Sequence, residues 1–344
     1  MMTEKRKLTL KDIAKALGLS VSTVSRALKA HPDIAKETIE LVKKYAEDNH
    51  YVPNLLAVNF RKSRTYNLGL IVPEIVHHFF STVISGAISE ANSQGYNILV
   101  TQSNDLLEVE TKASQIMLNG SVDGLLISIS NETTTAEHLN AYLSEGKPIV
   151  QFDKITDHLS CPKVIVDDFE GAYQATTHLI SQGYKRIAHI RGRKDVKNAC
   201  DRYEGYLQAL RDANLPTSDD LVMCCSAISE EEGYSFTAEL MEGRTPPDAI
   251  FCITDLVAFG SLKYLKEKGY AIPDQVGLMG FSNWMISETT TPTLSTVNQH
   301  GYEMGREATK LLLQLIKDQN LNSEDTTILK TELIIRESSM RQKG

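Results

Sequence analysis

The sequence predicts a small all-α headpiece with a helix-turn-helix, followed by an α/β body of two doubly wound parallel-sheet lobes. Two patterns support this fold class. Residues 9–28 hold two short stretches of helical apolar periodicity separated by a glycine. From residue 67 onward, short apolar runs alternate with amphipathic stretches of ten or more residues. Such alternation indicates parallel sheets covered by helices on both faces.

The N-terminal pattern predicts two helices of about two turns each. The first is expected to end at Gly18, because only glycine takes a positive φ without steric cost. Ser20 is a candidate N-cap for the second helix, Val21–Leu28. A third helix is predicted from roughly Lys36 to Asn49. This arrangement is typical of a helix-turn-helix, and the alternative is an ordinary αα-hairpin.

The outer face of the second helix carries side chains suited to reading DNA. In a helix-turn-helix that helix enters the major groove. Arginine pairs bidentately with guanine, while hydroxyl groups bond bases or phosphates. We therefore predict DNA contacts from Ser22, Thr23, Ser25 and Arg26, and we also expect contacts from Thr9 and Val21 at the starts of the two helices.

The distribution of charge agrees with DNA binding at one end of the chain. The net charge of the whole protein is −8, but residues 1–65 carry +6 and the remainder carries −14. A basic head on an acidic body confines the attraction for phosphates to the headpiece.

Composition excludes several other classes of protein. No apolar run approaches the ~18 residues that span a bilayer, and the charged N-terminus lacks the apolar core of a signal peptide. We expect a cytoplasmic protein without a membrane partner. The five cysteines form no C-x-x-C pair and the nine histidines show no ligand spacing, so we expect buried thiols and no metal or other cofactor. The motifs G-x-S-x-G, the P-loop and G-x-G-x-x-G are absent, so we expect no catalytic residues.

The loops that follow the predicted strands of the body are rich in polar, charged and aromatic residues. Ligands of open α/β sheets bind outside the carboxyl ends of the strands. Planar polar groups with aromatic neighbours are suited to a sugar-like ligand.

Two sets of motifs stand out along the chain. In the headpiece they are TLKDIAKALGLS, STVSRAL, TIELV and YVPN. In the body they include VDDFEGA, GYKRIAHI, ITDLVAFG, GYAIPDQVGLMGF and TPTLSTVNQ. Together these motifs resemble the lactose-repressor (LacI/GalR) family over nearly the whole chain.

The resemblance implies a domain organisation. The headpiece is expected at 1–52, a hinge helix and connector at 53–65, and an effector-binding and dimerisation body at 66–344. The first lobe is expected at about 66–163 and 293–322, and the second at about 164–292 and 323–344. In this family the hinge helices of two subunits pack together on DNA and wedge an apolar side chain into the minor groove. The corresponding DNA contacts are Asn54, Ala57 and Phe60, where Phe60 replaces the usual leucine and could instead contact the body.

The resemblance also implies the residues of an effector site. Arg202 is expected to clamp ligand hydroxyls or a carboxylate. Asp255 corresponds to the aspartate of the family's Asn-Asp pair, with Thr254 in place of the asparagine. Ser282 replaces a frequent ligand-binding aspartate, and Ile228 replaces a stacking aromatic for which Trp284 is a candidate substitute. The expected effector contacts are Phe79, Phe80, Ser128, Asp153, Asn198, Arg202, Asp255, Ser282 and Gln299.

A basic loop at 191–195 departs from the family's usual Gly-Pro. Its arginines and lysine could recognise a phosphate or carboxylate, or could simply be solvated.

The function predicted from these features is sequence-specific repression, most simply of carbohydrate-utilisation genes. The expected partners are double-stranded operator DNA, a second copy of the chain in a homodimer, and a sugar, sugar phosphate or sugar acid as effector. The alternative is a global regulator of the same family controlled by a phosphoprotein corepressor.

Overall fold

A computed structural model describes residues 8–51, 64–120, 122–318 and 324–341. Internal contacts divide the chain into two compact units, one ending at Thr65 and one beginning at Tyr66. Each unit is described here by itself. Most of the predicted hinge segment lies outside the described residues, including the predicted DNA contacts Asn54, Ala57 and Phe60.

The headpiece consists of three helices, α1 (Leu10–Leu17), α2 (Val21–Leu28) and α3 (Lys36–Asp48). Thr9 and Asp12 form a reciprocal capping box at the start of α1. Gly18 ends α1 with a φ of 64°, the left-handed conformation that favours glycine. The three helices share a small core of Ile13, Ala14, Val24, Ala27, Val42 and Ala46. The predicted helix-turn-helix is confirmed.

The first sheet of the body has six parallel strands in the order β11-β5-β4-β3-β1-β2. Its strands are β1 (Asn67–Val72), β2 (Asn97–Gln102), β3 (Leu125–Ile127), β4 (Ile149–Phe152), β5 (Lys163–Val166) and β11 (Thr326–Leu329). The helices α4 (His78–Ser93), α5 (Leu107–Leu118), α6 (Asn140–Ser144) and α11 (Gly301–Lys317) belong to this lobe. Helices α4 and α11 approach closely, since a Cβ at Gly86 would lie 2.0 Å from the carbonyl oxygen of Tyr302.

The second sheet has four parallel strands in the order β7-β6-β8-β9. Its strands are β6 (Ile187–Arg191), β7 (Val222–Cys224), β8 (Ala249–Cys252) and β9 (Gly277–Met279). Its helices are α7 (Asp168–Ser181), α8 (Lys197–Asp212), α9 (Glu230–Glu242) and α10 (Asp255–Glu267). A separate antiparallel pair, β10 (Thr296–Asn298) and β12 (Glu332–Ile334), lies beside this lobe, with Val297 in the same core cluster as Phe281.

Strand pairing corrects the expected boundaries of the lobes. The resemblance places the switch to the second lobe at about residue 163, but β5 pairs with β4 of the first sheet, so the chain crosses after Val166. Residues 323–344 were expected in the second lobe, but β11 pairs with β5 and lies in the first. Residues 293–298, expected in the first lobe, contain β10 and pack with the second.

Within the part of the chain that the structure describes, no helix combines the length and apolar character needed to span a membrane.

Candidate functional site

The second headpiece helix presents an exposed polar face at its N-terminal end. Ser20 caps α2, because its Oγ accepts a hydrogen bond from the backbone N–H of Thr23 at 3.0 Å. Val24 and Ala27 are buried on the opposite face of the helix. The cap and the core together fix which side chains of α2 face solvent.

The side chains predicted to contact DNA differ in their exposure and in their hydrogen bonds within the headpiece. Arg26 is exposed, and its side chain forms no hydrogen bond or ion pair with any described residue. Ser22 is also exposed, and its Oγ lies 2.8 Å from the Oγ of Ser20. Thr23 and Ser25 are half-buried, and Val21 is 39% exposed. Thr9 Oγ1 already donates to Asp12 at 2.6 Å, so its side chain serves the capping box in the free protein.

A cavity of about 350 Å³ lies between the two lobes of the body, where the carboxyl ends of both sheets meet. The first lobe contributes loops after β1 to β4, and the second contributes loops after β6 to β9 and the start of α8. Seven of the nine predicted effector residues line it, namely Phe79, Phe80, Asp153, Asn198, Arg202, Ser282 and Gln299.

Apolar side chains form one part of the wall. Phe79 and Phe80 are buried in the first turn of α4, with ring centroids 5.2 Å apart in an edge-to-face arrangement. Ile228 and Ile253 line the second lobe's side. Such surfaces can cover the C–H faces of a ligand.

Asp153 and Asn198 form a polar contact between the lobes. Asn198 Nδ2 donates to Asp153 Oδ1 at 3.3 Å, and Ser128 Oγ donates to Asp153 Oδ2 at 3.4 Å. Burial raises the pKa of Asp153, while the charges of Lys154 and Arg202 oppose that shift. No cation forms a salt bridge with this carboxylate among the described residues. Its capacity to accept further hydrogen bonds is therefore available to a ligand.

Three loops of the first lobe converge on Lys154. Its Nζ lies 2.8 Å from Asp105 Oδ1 and 2.7 Å from Asn131 Oδ1. Asn131 Nδ2 also donates to Asp105 Oδ2 at 3.0 Å. This closed triangle neutralises the lysine and holds the loops after β2, β3 and β4 together.

Arg202 is 4% exposed and is held by three contacts from its own lobe. Its Nε donates to Asp168 Oδ1 at 2.7 Å, and its Nη1 donates to the carbonyl oxygen of Ile253 at 2.8 Å. Its guanidinium carbon lies 3.8 Å from the ring centroid of Phe281. Its other terminal nitrogen, Nη2, has no hydrogen-bond partner among the described residues. Arg202 therefore supports the second lobe and also faces the cavity.

Two predicted effector residues, Asp255 and Ser128, are not among the residues that line the cavity. Asp255 is 1% exposed and accepts hydrogen bonds from Thr296 Oγ1 and from the backbone N–H of Trp284, both at 2.6 Å. Burial raises its pKa to about 6. Ser128 lies behind Asp153, which it contacts through Oγ. Both residues hold wall elements in place, and Thr254 lines the cavity beside Asp255.

The other singled-out positions have separate roles. Ser282 Oγ donates to Gln299 Oε1 at 2.9 Å, which joins two wall residues. In the basic loop, Arg193 forms a bidentate pair with Asp195, at 3.0 and 2.6 Å. Trp284 is not on the wall; it contacts His77, His78 and Phe259.

Several wall residues have left-handed backbone conformations. Asn104, Asp105 and Asp153 have φ between 53° and 57°, and Ser282 has a φ of 115°. Such conformations are disfavoured for side-chain-bearing residues and concentrate at functional sites.

Further polar residues lie at the cavity that no motif of the sequence indicates. Glu74, His77, Asn104, Asp105, Asn131 and Lys154 line it as well. Each of these residues follows a strand of the first lobe. Their position after a strand is therefore the one feature of the sequence that points to the cavity.

Comparison with known proteins assigns both units to one family. The profile of bacterial regulatory proteins of the lacI family matches residues 9–54. The profile of periplasmic binding proteins and the sugar binding domain of the LacI family matches residues 65–337.

Individual relatives cover almost the whole chain. The NTD biosynthesis operon regulator NtdR of Bacillus subtilis (strain 168) is 31% identical over 332 residues, covering 96% of this chain and 99% of its own. The transcriptional repressor CytR of Escherichia coli (strain K12) is 30% identical, covering 96% of each chain.

Solved structures show the same architecture. The transcriptional regulator CelR in complex with cellobiose is 26% identical, with a TM-score of 0.73, over 96% of this chain and all of its own. The lac repressor dimer bound to operator and the anti-inducer ONPF shares the fold, with a TM-score of 0.86 at 21% identity, over 97% of this chain and all of its own. The chain belongs to the LacI family and is a DNA-binding transcriptional repressor.

Proposed function

We propose that this repressor binds a palindromic operator as a homodimer and that a neutral, hydroxyl-rich sugar or sugar derivative in the interlobe cavity controls its affinity for DNA. The observation that carries the proposal is the hydrogen bond between Asp153 and Asn198 at the cavity. A ligand that bonds both residues contacts both lobes at once, and so favours one interlobe arrangement.

The charges around the cavity support a neutral ligand over a sugar phosphate or sugar acid. Each cationic group of the lining, namely Lys154, Arg193 and Arg202, is already paired with an aspartate. An anion would compete with those aspartates. It would also meet the carboxylates of Glu74 and Asp153, which have no salt-bridge partner among the described residues.

Two solved relatives support a small-molecule effector over a phosphoprotein corepressor. CelR was solved with cellobiose, and a LacI family regulator from Enterococcus faecium was solved with bound ribose. The second of these is 27% identical with a TM-score of 0.72, over 80% of this chain.

The proposed control couples the interlobe angle to the pairing of two hinge segments in the dimer. A helix of two turns is marginal in water without a partner. If the ligand changes the interlobe angle so that the hinge segments separate, the headpieces release the operator. If the change brings the hinge segments together, operator binding becomes stronger.

The test begins by selecting an operator from random double-stranded DNA with the full-length protein. Thermal stability is then measured with neutral sugars and nucleosides, and with sugar phosphates and uronates matched to them. A neutral ligand at 100 times its dissociation constant should add ~2.7 kcal/mol of apparent stability. Stabilisation by the anionic members alone would contradict the proposed effector class. Operator binding that no small molecule alters would contradict effector control and favour a protein corepressor.

A further inference from the structure

The loop that follows β3 leaves the backbone pairing of the first lobe at Ile129, whose N–H donates to the carbonyl oxygen of Lys154 at 3.1 Å. Beyond that point the backbone N–H groups of Ser130 and Asn131 bond to side chains instead. Asn131 lines the interlobe cavity, and it also lines a second cavity of about 320 Å³ together with Ser130 and Thr133. A loop that borders two cavities has few packed neighbours, so its position depends on the hydrogen bonds that hold it.

The side chain that holds this loop from within the first lobe is Glu110, on α5. It is 0% exposed, and both of its carboxylate oxygens accept hydrogen bonds. Oε2 accepts from the backbone N–H of Ser130 at 2.5 Å. Oε1 accepts from Thr133 Oγ1 and from Nε2 of His138, each at 2.8 Å. The side chain of His138 is 8% exposed, so the whole cluster is shielded from water.

Two further carboxylates join the loops after β2 and β3. Asp105 accepts from the backbone N–H of Asn131 at 3.1 Å, and Glu132 accepts from the backbone N–H of Leu107 at 3.0 Å. Glu132 is exposed, and the side chain of Asp105 is 31% exposed, so water can replace these two acceptors. Water cannot readily replace Glu110, and loss of a buried acceptor leaves its donor unsatisfied. The position of the loop therefore depends most on Glu110.

We propose that Glu110 is a positioning residue of the effector site, which fixes the loop after β3 and so places Asn131 at the cavity wall. Glu110 does not line the cavity, so it acts through the loop and not on the ligand. The effect extends to Lys154, because its Nζ donates to Asn131 Oδ1 at 2.7 Å. This inference rests on the proposed function, because it assigns the support of the wall that the effector contacts.

The test compares Glu110→Leu, Glu110→Gln and Glu108→Leu in the full chain. Glu110→Leu keeps a side chain of similar size but removes both acceptors, whereas Glu110→Gln keeps one acceptor oxygen. Glu108→Leu is the matched control, because Glu108 lies in the first turn of the same helix and is exposed. Hydrogen exchange of residues 128–134, followed by mass spectrometry, measures the mobility of the loop without any ligand. Calorimetry with D-ribose and cellobiose as probes measures the effect on the cavity.

We expect Glu110→Leu to speed hydrogen exchange in residues 128–134 by roughly tenfold or more, because the buried N–H of Ser130 loses its acceptor. Exchange in the second lobe should stay as in the wild type. The affinity for whichever probe the wild type binds should fall by roughly tenfold as well. Glu110→Gln should recover most of both losses, and Glu108→Leu should show neither.

Faster exchange spread evenly over the body would overturn the inference, because it would show only a loss of global stability. A loosened loop with unchanged probe affinity would overturn it too, because the role of Glu110 would then be structural alone. If Glu110→Leu does not fold, Thr133→Val takes its place, since it removes one donor to Glu110, and unchanged exchange in the loop would then refute the inference. Failure of both sugars to bind the wild type would count against the proposed effector class, while the exchange of the loop would still decide the role of Glu110.

Discussion

Replacement of Arg202 by alanine should destabilise the body strongly and in a pH-dependent way. The substitution removes the hydrogen bonds to Asp168 and to the carbonyl of Ile253, both buried. Removal of one partner of a buried ion pair typically costs ~3–5 kcal/mol. We expect a loss of this size in the free energy of unfolding at pH 7.

The pH dependence follows from Asp168. Burial raises its pKa to about 6, and Arg202 opposes that shift. A raised pKa means that the folded state holds the proton more tightly, so stability falls as the pH rises from about 4 to about 6. Without Arg202 the pKa of Asp168 rises further, because the charge that opposes the effect of burial is gone. By linkage the loss of stability in the variant is therefore larger at pH 7 than at pH 5.

Urea unfolding followed by circular dichroism at pH 7 and pH 5 measures this effect. Arg211→Ala is the control, because Arg211 lies on the same helix but is exposed, 4.0 Å from Glu204. That variant should lose no more than ~0.5 kcal/mol. A loss below ~1 kcal/mol for Arg202→Ala would refute the structural role of the pair. A loss that does not shrink at pH 5 would refute the assigned protonation of Asp168.

Three further predictions concern the headpiece and hinge. Arg26→Ala should weaken operator binding by ~1–3 kcal/mol, mainly through one base pair, as measured in a titration of single-base operator variants. An equal loss of affinity for random DNA would show that Arg26 contacts a phosphate instead. Gly18→Ala should destabilise the headpiece by ~1–2 kcal/mol in thermal unfolding, because Gly18 has a φ of 64°, and an unchanged stability would contradict the strain expected there. Phe60→Ala should reduce operator bending in a gel-mobility bending assay and leave effector binding intact, whereas unchanged bending would exclude a wedge.

Local signals made the headpiece predictable. The N-cap Ser20, the turn glycine Gly18 and the apolar spacing of α1 and α2 all lie within twenty residues. The lobe boundaries depended on pairings between distant segments. Nothing within Thr326–Leu329 indicates that it pairs with Lys163–Val166, more than 150 residues earlier.

The resemblance marked single positions such as Asp153 and Arg202, and both of these residues line the cavity. The site was not predictable where several loops had to converge. The triangle of Asp105, Asn131 and Lys154 forms because β2, β3 and β4 end at the same edge of one sheet. Similarly, the partner of Arg202 lies 34 residues away on a neighbouring helix, so the sequence indicated only its ligand-facing role.

Reciprocal linkage between the cavity and the operator is the most direct test of the proposed control. Operator affinity is measured by fluorescence anisotropy with and without the stabilising ligand, and ligand affinity by calorimetry with and without operator. The two ratios should be equal and fall at roughly 5–150-fold, the usual range of allosteric coupling. Whether the ligand is an inducer or a corepressor decides only whether both affinities fall or rise. An operator affinity that is the same with the cavity empty and saturated would contradict the account.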